Sequence, residues 1–398
     1  MGDRRKIIDY LFSLNARGIK YDLVRMSEAL KRLGDPQRSY RCVHVAGTNG
    51  KGSTCAYVDS VLRAAGRRTA LYTSPHLIDF EERFLVDGRP VQTGRWVEVY
   101  EEIERTVRDI PMTFFELTTL IGFELFRRER VEWAVIETGM GGRLDATNCV
   151  TPQVGIITSI SMDHMEYLGA DLTAIAGEKL GIVKQGVPVV MARPAQAEVR
   201  ELAGRICRER QAHLHTVGME DAAELMMNGA RASFAYKGRR VRLALPGDFQ
   251  AVNALCAITA CEIAGIGDAE IVAAGIEKTV VAARFQVVRH RGKKIVFDVA
   301  HNPGAAGRLD EALRQEYPGK KICLVMGIMK DKDIAGILEV MCAKGRFCFF
   351  TRPDTPRACA AQQLPTLSHA RLDPAGYRVI SRVSDAVAEA LKRDEEVV

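Results

Sequence analysis

The stretch Val43-His44-Val45-Ala46-Gly47-Thr48-Asn49-Gly50-Lys51-Gly52-Ser53-Thr54 constrains the fold more than any other part of the chain. An apolar run ends in three glycines, a lysine and two hydroxyls, and Val58, Val61, Leu62 and Ala65 then recur at helical spacing. The implied order is strand, glycine loop, helix. Glycines let successive N–H groups turn toward one anion, the helix start adds partial positive charge, and Lys51 can reach outer phosphates. Gly47, Thr48, Asn49, Gly50, Lys51, Gly52, Ser53 and Thr54 are therefore read as a phosphate cradle, with Ser53 or Thr54 available to a magnesium ion. The pattern G-x-x-x-x-G-K-[ST] is not met strictly. Val45 stands where it needs glycine, and Gly52 separates the lysine from the hydroxyls.

With 398 residues, two domains are expected. The 47% hydrophobic and 27% charged content is that of a soluble protein, and no eighteen-residue apolar run is present to span a bilayer. The N-terminus lacks an apolar signal core, so a cytoplasmic protein with no membrane role is expected. Ten cysteines are scattered without a C-x-x-C pair and are read as reduced core thiols. A net charge of +6 spread along the chain suits small anionic substrates rather than nucleic acid.

Two helices, 7–14 and 23–33, lead in. Strands are then expected at 42–46, 69–73, 131–137, 154–160 and 187–191, and helices at 53–65, 94–108, 115–129, 172–184 and 196–209. That alternation predicts an α/β fold with a largely parallel sheet. A hairpin around Lys237-Gly238 is placed near the sheet's edge, and helices follow at 250–264 and 268–280. A second alternation, with strands at 294–299, 321–326, 346–350 and 377–380 and helices at 304–315, 334–342 and 384–392, predicts a smaller Rossmann-like α/β domain. The domains are set at 1–285 and 286–398, with the junction near Val281–Arg291.

Ligands of open parallel sheets bind beyond the carboxyl ends of the strands. Strand 69–73 delivers Ser74-Pro75-His76, strand 131–137 delivers Glu137, and strand 154–160 delivers Ser161-Met162-Asp163-His164. A carboxylate ending a buried strand near such a loop is the usual magnesium partner, which makes Glu137 the metal candidate. Gly139-Met140-Gly141-Gly142-Arg143-Leu144-Asp145-Ala146-Thr147-Asn148 follows and is read as a substrate loop. In the smaller domain Asn302-Pro303 is explained as a helix start, whereas Asp298 and His301 are not. Polar strand ends in two α/β domains suggest a nucleotide held between them.

The ordered series His44 to Ser53, Thr73 to Leu77, Phe114-Phe115-Glu116, Glu137 to Asn148, Asp163-His164, Glu178 to Ile182, Asn253-Ala254-Leu255 and Asp298 to Pro303 resembles the folylpolyglutamate synthase and dihydrofolate synthase branch of the Mur-type ligases, over nearly the full length. The resemblance implies a P-loop ATP-binding domain followed by the smaller α/β domain, with ATP and Mg2+ as cofactors. It implies Ser74, Glu137 and His164 as magnesium ligands, and Asn253, Arg284, Asp298 and His301 near the nucleotide. Lys51, Lys179 and His164 are implied as catalytic, Lys179 as a carbamylated lysine whose added oxygens approach the metal. The bland alternative is a solvated Lys179 paired with Glu178. Thr113, Phe114, Phe115, Glu116, Leu144, Asp145 and Ala146 match positions used for the pterin substrate. Their bland alternative is a helix start and an Asp145–Arg143 pair. The family continues past Glu396-Val397-Val398 into a last strand, so the edge of the smaller domain is expected to be incomplete.

The activity this resemblance implies is ATP-dependent addition of L-glutamate to the carboxylate of folates, and of dihydropteroate, through an acyl phosphate. A monomer acting on small molecules is expected. Two alternatives remain open: a Mur-type ligase with another carboxylate acceptor, and a nucleotide-binding module without turnover.

Overall fold

Both lead-in helices are present as α1 (Arg4–Ser13) and α2 (Val24–Arg32), which bury Ile7, Leu11, Met26, Ala29 and Leu30. The computed structural model describes residues 4–14, 22–163, 165–169, 171–342, 346–368 and 372–398. The chain divides into two compact units, one of Met1–Leu225, Ser233–Ala244 and Gln250–Thr279, the other of Met226–Ala232, Leu245–Phe249 and Val280–Val398.

In the first unit the alternation begins with β1 (Arg41–Ala46), α3 (Lys51–Ala64) and β2 (Thr69–Tyr72). A short antiparallel pair follows, β3 (Phe84–Val86) and β4 (Arg89–Pro90), then α4 (Thr93–Val107), α5 (Phe114–Arg128) and β5 (Trp133–Glu137). Next come β6 (Val154–Ile157), α6 (Met165–Leu168), α7 (Leu172–Leu180), β7 (Val189–Ala192), α8 (Ala197–Glu209) and β8 (Leu214–Val217). After β9 (Met226–Asn228), which falls in the second unit, β10 (Arg231–Tyr236) and β11 (Arg239–Arg242) form the hairpin, and α9 (Gln250–Ile263) and α10 (Ala269–Glu277) close the first unit.

Eight strands join in the order β4-β3-β2-β5-β1-β6-β7-β8, parallel from β2 to β8. β1 is central and all but its first residue are buried, as a strand covered on both faces must be. Cys42 and Ala46 of β1 belong to the apolar clusters built with α5 on one side and with α7 and α8 on the other, so His44 shares that face. α3 packs against β1, β2 and β5, and α9 against β6, β7 and β8. Gly275 of α10 is required by close approach, because a Cβ there would lie 2.5 Å from Val61 Cα on α3.

Register carries the site. Val45 pairs with Glu137, Tyr72 with Ile136, and Ala46 with Ile157, so β1, β2, β5 and β6 end together at one edge. Two expectations are corrected. The hairpin β10–β11 forms as expected, with Tyr236 paired to Arg239, but it belongs to a separate sheet and not to the eight-stranded one. The strand expected at 154–160 stops at Ile157, because the residues after it turn to bond the glycine loop.

The second unit opens with the antiparallel pair β12 (Gln286–His290) and β13 (Lys293–Phe297), joined through Arg291 and Gly292 at positive φ of 48° and 80°. β12 is exposed throughout, which left no apolar pattern to read. α11 (Pro303–Glu316) starts at Asn302, whose side chain accepts from Ala305 N–H as expected. β14 (Cys323–Met326), α12 (Ile334–Met341), β15 (Phe347–Arg352), β16 (Tyr377–Arg382) and α13 (Val383–Ala390) follow, with a parallel sheet in the order β14-β15-β16. The last residues connect the two sheets: Val397 bridges to Lys294 and to Ile322, and Val398 exchanges backbone hydrogen bonds with the β13 strand.

Candidate active site

The glycine loop leaves β1 at Gly47, whose φ is 149° and whose Cβ, if it had one, would sit 1.8 Å from Thr158 Oγ1. Gly50 starts α3 at φ 90° with no side-chain cap among the described residues, and a Cβ there would meet Asn253 Oδ1 at 2.4 Å. Both positions thus require glycine, for close packing and for backbone angle. The uncapped start leaves the first N–H groups of α3 facing outward to an anion. Thr48 N–H donates to Ser159 O at 2.7 Å, Thr48 Oγ1 to Ser161 O at 3.0 Å, Ser159 Oγ to Asn49 O at 3.0 Å, and Asn49 Nδ2 to Ser161 Oγ at 3.2 Å. Thr158, Ser159 and Ser161 therefore brace the loop, a role that no local pattern in 158–161 announces.

Lys51 folds back on this loop, its Nζ donating to Gly47 O at 3.1 Å and Thr48 O at 3.2 Å. Lys179, from the last turn of α7, reaches the same Gly47 O at 2.9 Å and is only 3% exposed. Burial, and then the charge of Lys51, lower the Lys179 pKa to about 7, against the pull of Asp163 and Asp145. The bland alternative for Lys179 is overturned, since Glu178 pairs with Arg143 at 2.8 Å.

Ser74 follows β2 and its N–H donates to Glu137 Oε2 at 3.1 Å across the sheet edge. Glu137 is 5% exposed, and a Cβ on Gly52 would lie 3.8 Å from its Oε1, so the carboxylate stands beside the first turn of α3. A buried carboxylate with a serine, next to an uncapped helix start, is an oxygen-donor set of the kind a hard divalent ion takes. Ser53 is buried with Gln250 Nε2 at 3.5 Å, and Asn253 Nδ2 donates to Gln250 Oε1 at 3.0 Å, which ties Asn253 and Ser53 to one end of α9. Thr54 is fully buried. His164 lies outside the described residues.

The acceptor candidates occupy the α5 start and the loop after β5. Thr113 and Glu116 form a capping box: Thr113 Oγ1 accepts from Glu116 N–H at 3.3 Å, and Glu116 Oε2 from Thr113 N–H at 2.7 Å. Glu116 also pairs with Arg25 at 2.9 Å, so its geometry is explained by helix capping and this ion pair. Phe114 stacks on Phe12 with centroids 5.2 Å apart, beneath the Arg83 guanidinium at 5.1 Å. The half-buried Phe115 ring lies over Gly139, where a Cβ would meet it at 2.5 Å.

Leu144 is half-buried, and Asp145 and Ala146 are buried. Asp145 does not pair with Arg143, because that guanidinium is engaged by Glu178. Its Oδ1 accepts from Thr147 N–H at 3.0 Å and from Thr147 Oγ1 at 2.5 Å, and its Oδ2 from Met140 N–H at 2.9 Å. Burial raises its pKa, and these donors pull it back down. The glycines here serve packing as well: a Cβ on Gly142 would lie 2.8 Å from the carbonyls of Glu178 and Lys179.

In the second unit Asp298 accepts from Phe285 N–H and from Ala300 N–H, both at 2.8 Å, with Arg284 near enough to act on its charge. Burial raises the Asp298 pKa. His301 Nδ1 lies 3.0 Å from Val299 O. Arg284 and Asp298 are thus brought together at the open end of the β12–β13 hairpin, and His301 follows three residues after Asp298.

A phosphate loop leaving the central strand of a parallel sheet fits a nucleotide-dependent enzyme, and its class is that of the Mur ligases. The model of the Mur ligase middle domain matches residues 45–261, and that of the Mur ligase glutamate ligase domain matches residues 283–397. Within that class, the chain belongs to the dihydrofolate synthase/folylpolyglutamate synthase family. It is 33% identical to the Escherichia coli dihydrofolate synthase/folylpolyglutamate synthase, over 98% of this chain and 91% of that protein. Mycobacterium tuberculosis folylpolyglutamate synthase, solved with ADP and AMPPCP, superposes at a TM-score of 0.90 with 31% identity, covering 99% of this chain and 95% of that one. A bifunctional folylpolyglutamate synthase/dihydrofolate synthase with Mn, AMPPNP and L-glutamate bound gives a TM-score of 0.86 and 31% identity, covering 100% and 94%. Among the described residues no helix is long and apolar enough to cross a membrane.

Proposed function

We propose that this chain is an ATP-dependent amide ligase that adds L-glutamate to the carboxylate of reduced folates and of dihydropteroate. The γ-phosphoryl group passes to the acceptor carboxylate, and the amine of glutamate then attacks the acyl phosphate, giving amide, ADP and phosphate. The observation that carries this reading is the pair of lysines, Lys51 and Lys179, on the carbonyl of Gly47, beside the Ser74–Glu137 contact.

Lys51 and the N–H groups of Gly47 to Thr54 hold the phosphates, and Asn253, Arg284, Asp298 and His301 hold the rest of the nucleotide. Ser74, Glu137 and His164 hold magnesium, which when bound offsets the negative charge of the transferring group. Thr113, Phe114, Phe115, Glu116, Leu144, Asp145 and Ala146 receive the pterin: the aromatic rings offer stacking faces, and Asp145 offers an acceptor. Lys179 carries a carbamate. Its lowered pKa supports this, because the neutral amine is the form that adds carbon dioxide, and near pH 7 a large share of Lys179 is neutral. In this reading residues 1–285 are the ATPase domain and residues 286–398 its glutamate-ligase partner, and the protein works as a cytoplasmic monomer.

The test is ADP release with ATP, Mg2+, L-glutamate and either dihydropteroate or tetrahydrofolate. Glutamate-dependent ADP release with both acceptors is expected. None with either, from folded protein, overturns the reading, and preference for a nucleotide-linked muramyl acceptor in a wider panel redirects it.

A further inference from the structure

His44 is fully buried on β1, between Cys42 and Ala46, which both belong to apolar clusters. An aliphatic side chain would satisfy such a position without burying two ring nitrogens. One nitrogen, Nε2, lies 2.8 Å from Thr147 Oγ1, and the other, Nδ1, is buried with no hydrogen-bond partner among the described residues. The same Thr147 hydroxyl lies 2.5 Å from Asp145 Oδ1, the length of an O–H donated to an ionised carboxylate.

These contacts fix the direction of the chain of hydrogen bonds. A hydroxyl has one proton, and Asp145 as a carboxylate has none to give, so Thr147 donates to Asp145. Thr147 Oγ1 must then accept from His44, which makes His44 the Nε2–H tautomer and leaves Nδ1 as the bare nitrogen. Lys184 donates to Asn148 O at 2.7 Å, on the same loop. Its charge, after burial itself, keeps the imidazole neutral, with a pKa lowered to about 3.

We propose that His44 is a positioning residue for the acceptor: by donating to Thr147 it orients the hydroxyl that fixes the Asp145 carboxylate, and so registers the pterin contact to the strand that carries the phosphate loop. The inference rests on the reading of Asp145 as an acceptor contact. β1 runs from His44 into Gly47 within three residues, so the group that orients one substrate and the loop that holds the other hang from a single buried strand. Phosphoryl transfer to a carboxylate depends on the alignment of both, which gives the linkage its use.

Steady-state kinetics with the full chain test it, using Asp145→Asn, Thr147→Val, Thr147→Ser, His44→Leu and His44→Gln, with circular dichroism to confirm folding. Asp145→Asn, Thr147→Val and His44→Leu are expected to raise the KM for dihydropteroate and tetrahydrofolate about tenfold or more, the scale of a hydrogen bond to a charged group. The KM for ATP should stay within about twofold. Thr147→Ser keeps the hydroxyl and His44→Gln presents an N–H near the Nε2 position, so each should recover most of the loss. Nitrogen-15 NMR of the His44 ring at neutral pH should show a protonated Nε2 and a bare Nδ1. If Asp145→Asn raises the acceptor KM while Thr147→Val and His44→Leu do not, the inference fails alone. If Asp145→Asn leaves it unchanged, the reading of Asp145 fails first. Parallel rises in ATP and acceptor KM, His44→Gln as impaired as His44→Leu, or the opposite tautomer each overturn it.

Discussion

The buried neutral imidazole of His44 should give the protein an acid sensitivity that one substitution removes. Burial first, and the charge of Lys184 second, move its pKa from 6.5 to about 3. The folded value is below the unfolded one, so between those values the unfolded chain binds a proton that the folded chain does not. Stability is therefore full above the unfolded pKa and is lost as pH falls toward the folded one, by about 1.4 kcal/mol per pH unit. Between about pH 6.5 and about pH 5 the loss from this one group is about 2 kcal/mol. His44→Gln keeps an N–H for Thr147 and cannot titrate, and every other titrating group, Lys184 and Asp145 included, is common to both proteins. Urea unfolding of wild type and His44→Gln, followed by fluorescence at the two pH values, isolates the contribution. The wild type should lose about 2 kcal/mol more than the variant on acidification. Curves that shift in parallel, to within about 0.5 kcal/mol, would refute a buried neutral His44.

Other outcomes follow from neighbouring contacts. Lys179→Ala should cost at least about a hundredfold in turnover, the scale of one aligned electrostatic group. Carbon-13 NMR under labelled bicarbonate should show a carbamate that this variant lacks. Gly139→Ala drives a methyl into the Phe115 ring, so the acceptor KM should rise with the ATP KM unchanged. Gly50→Ala combines a φ of 90° with contact on Asn253, and should raise the ATP KM instead. Gly275→Ala pushes α10 off the backbone of Val61, and should lower stability by about 1–3 kcal/mol with both KM values intact, as read by urea midpoint.

What was legible in the sequence tracks how local each cause is. The glycine loop, the helix start at Asn302 and the polar strand ends were readable because each is a short run whose residues explain one another. β8 and β12 were not: β8 is short and polar at His215 and Thr216, and β12 is exposed along its whole length, so neither has an apolar alternation to find. The pairing of charges was equally hidden. Arg143 and Asp145 are neighbours in sequence, as are Glu178 and Lys179, yet the ion pair formed is Arg143–Glu178. The close fit of the loop at Gly142 against the end of α7 selects that pairing, and it also turns Lys179 inward. Glu116 shows the opposite case, since its capping box was written in the Thr-x-x-Glu spacing at the start of α5.

That inward turn creates an electrostatic problem whose solution bears on the proposed chemistry. Two amines donate to one carbonyl oxygen, and the lowered Lys179 pKa reflects the cost of charging both in a buried place. A loop that must also receive a polyphosphate gains from Lys51 as a cation, since that charge is matched when the nucleotide binds. Lys179, from another helix and with less access to solvent, has no such match in Glu178, which Arg143 holds. Leaving Lys179 neutral removes the repulsion but wastes a buried donor. Converting it to a carbamate changes its sign, turns repulsion from Lys51 into attraction, and supplies anionic oxygens in place of a buried cation next to the phosphate loop. Under that reading, Lys179 and Lys51 are opposite charges on either side of one backbone carbonyl, and substituting Lys179 by arginine, which carries the charge but cannot be carbamylated, should be as damaging as alanine.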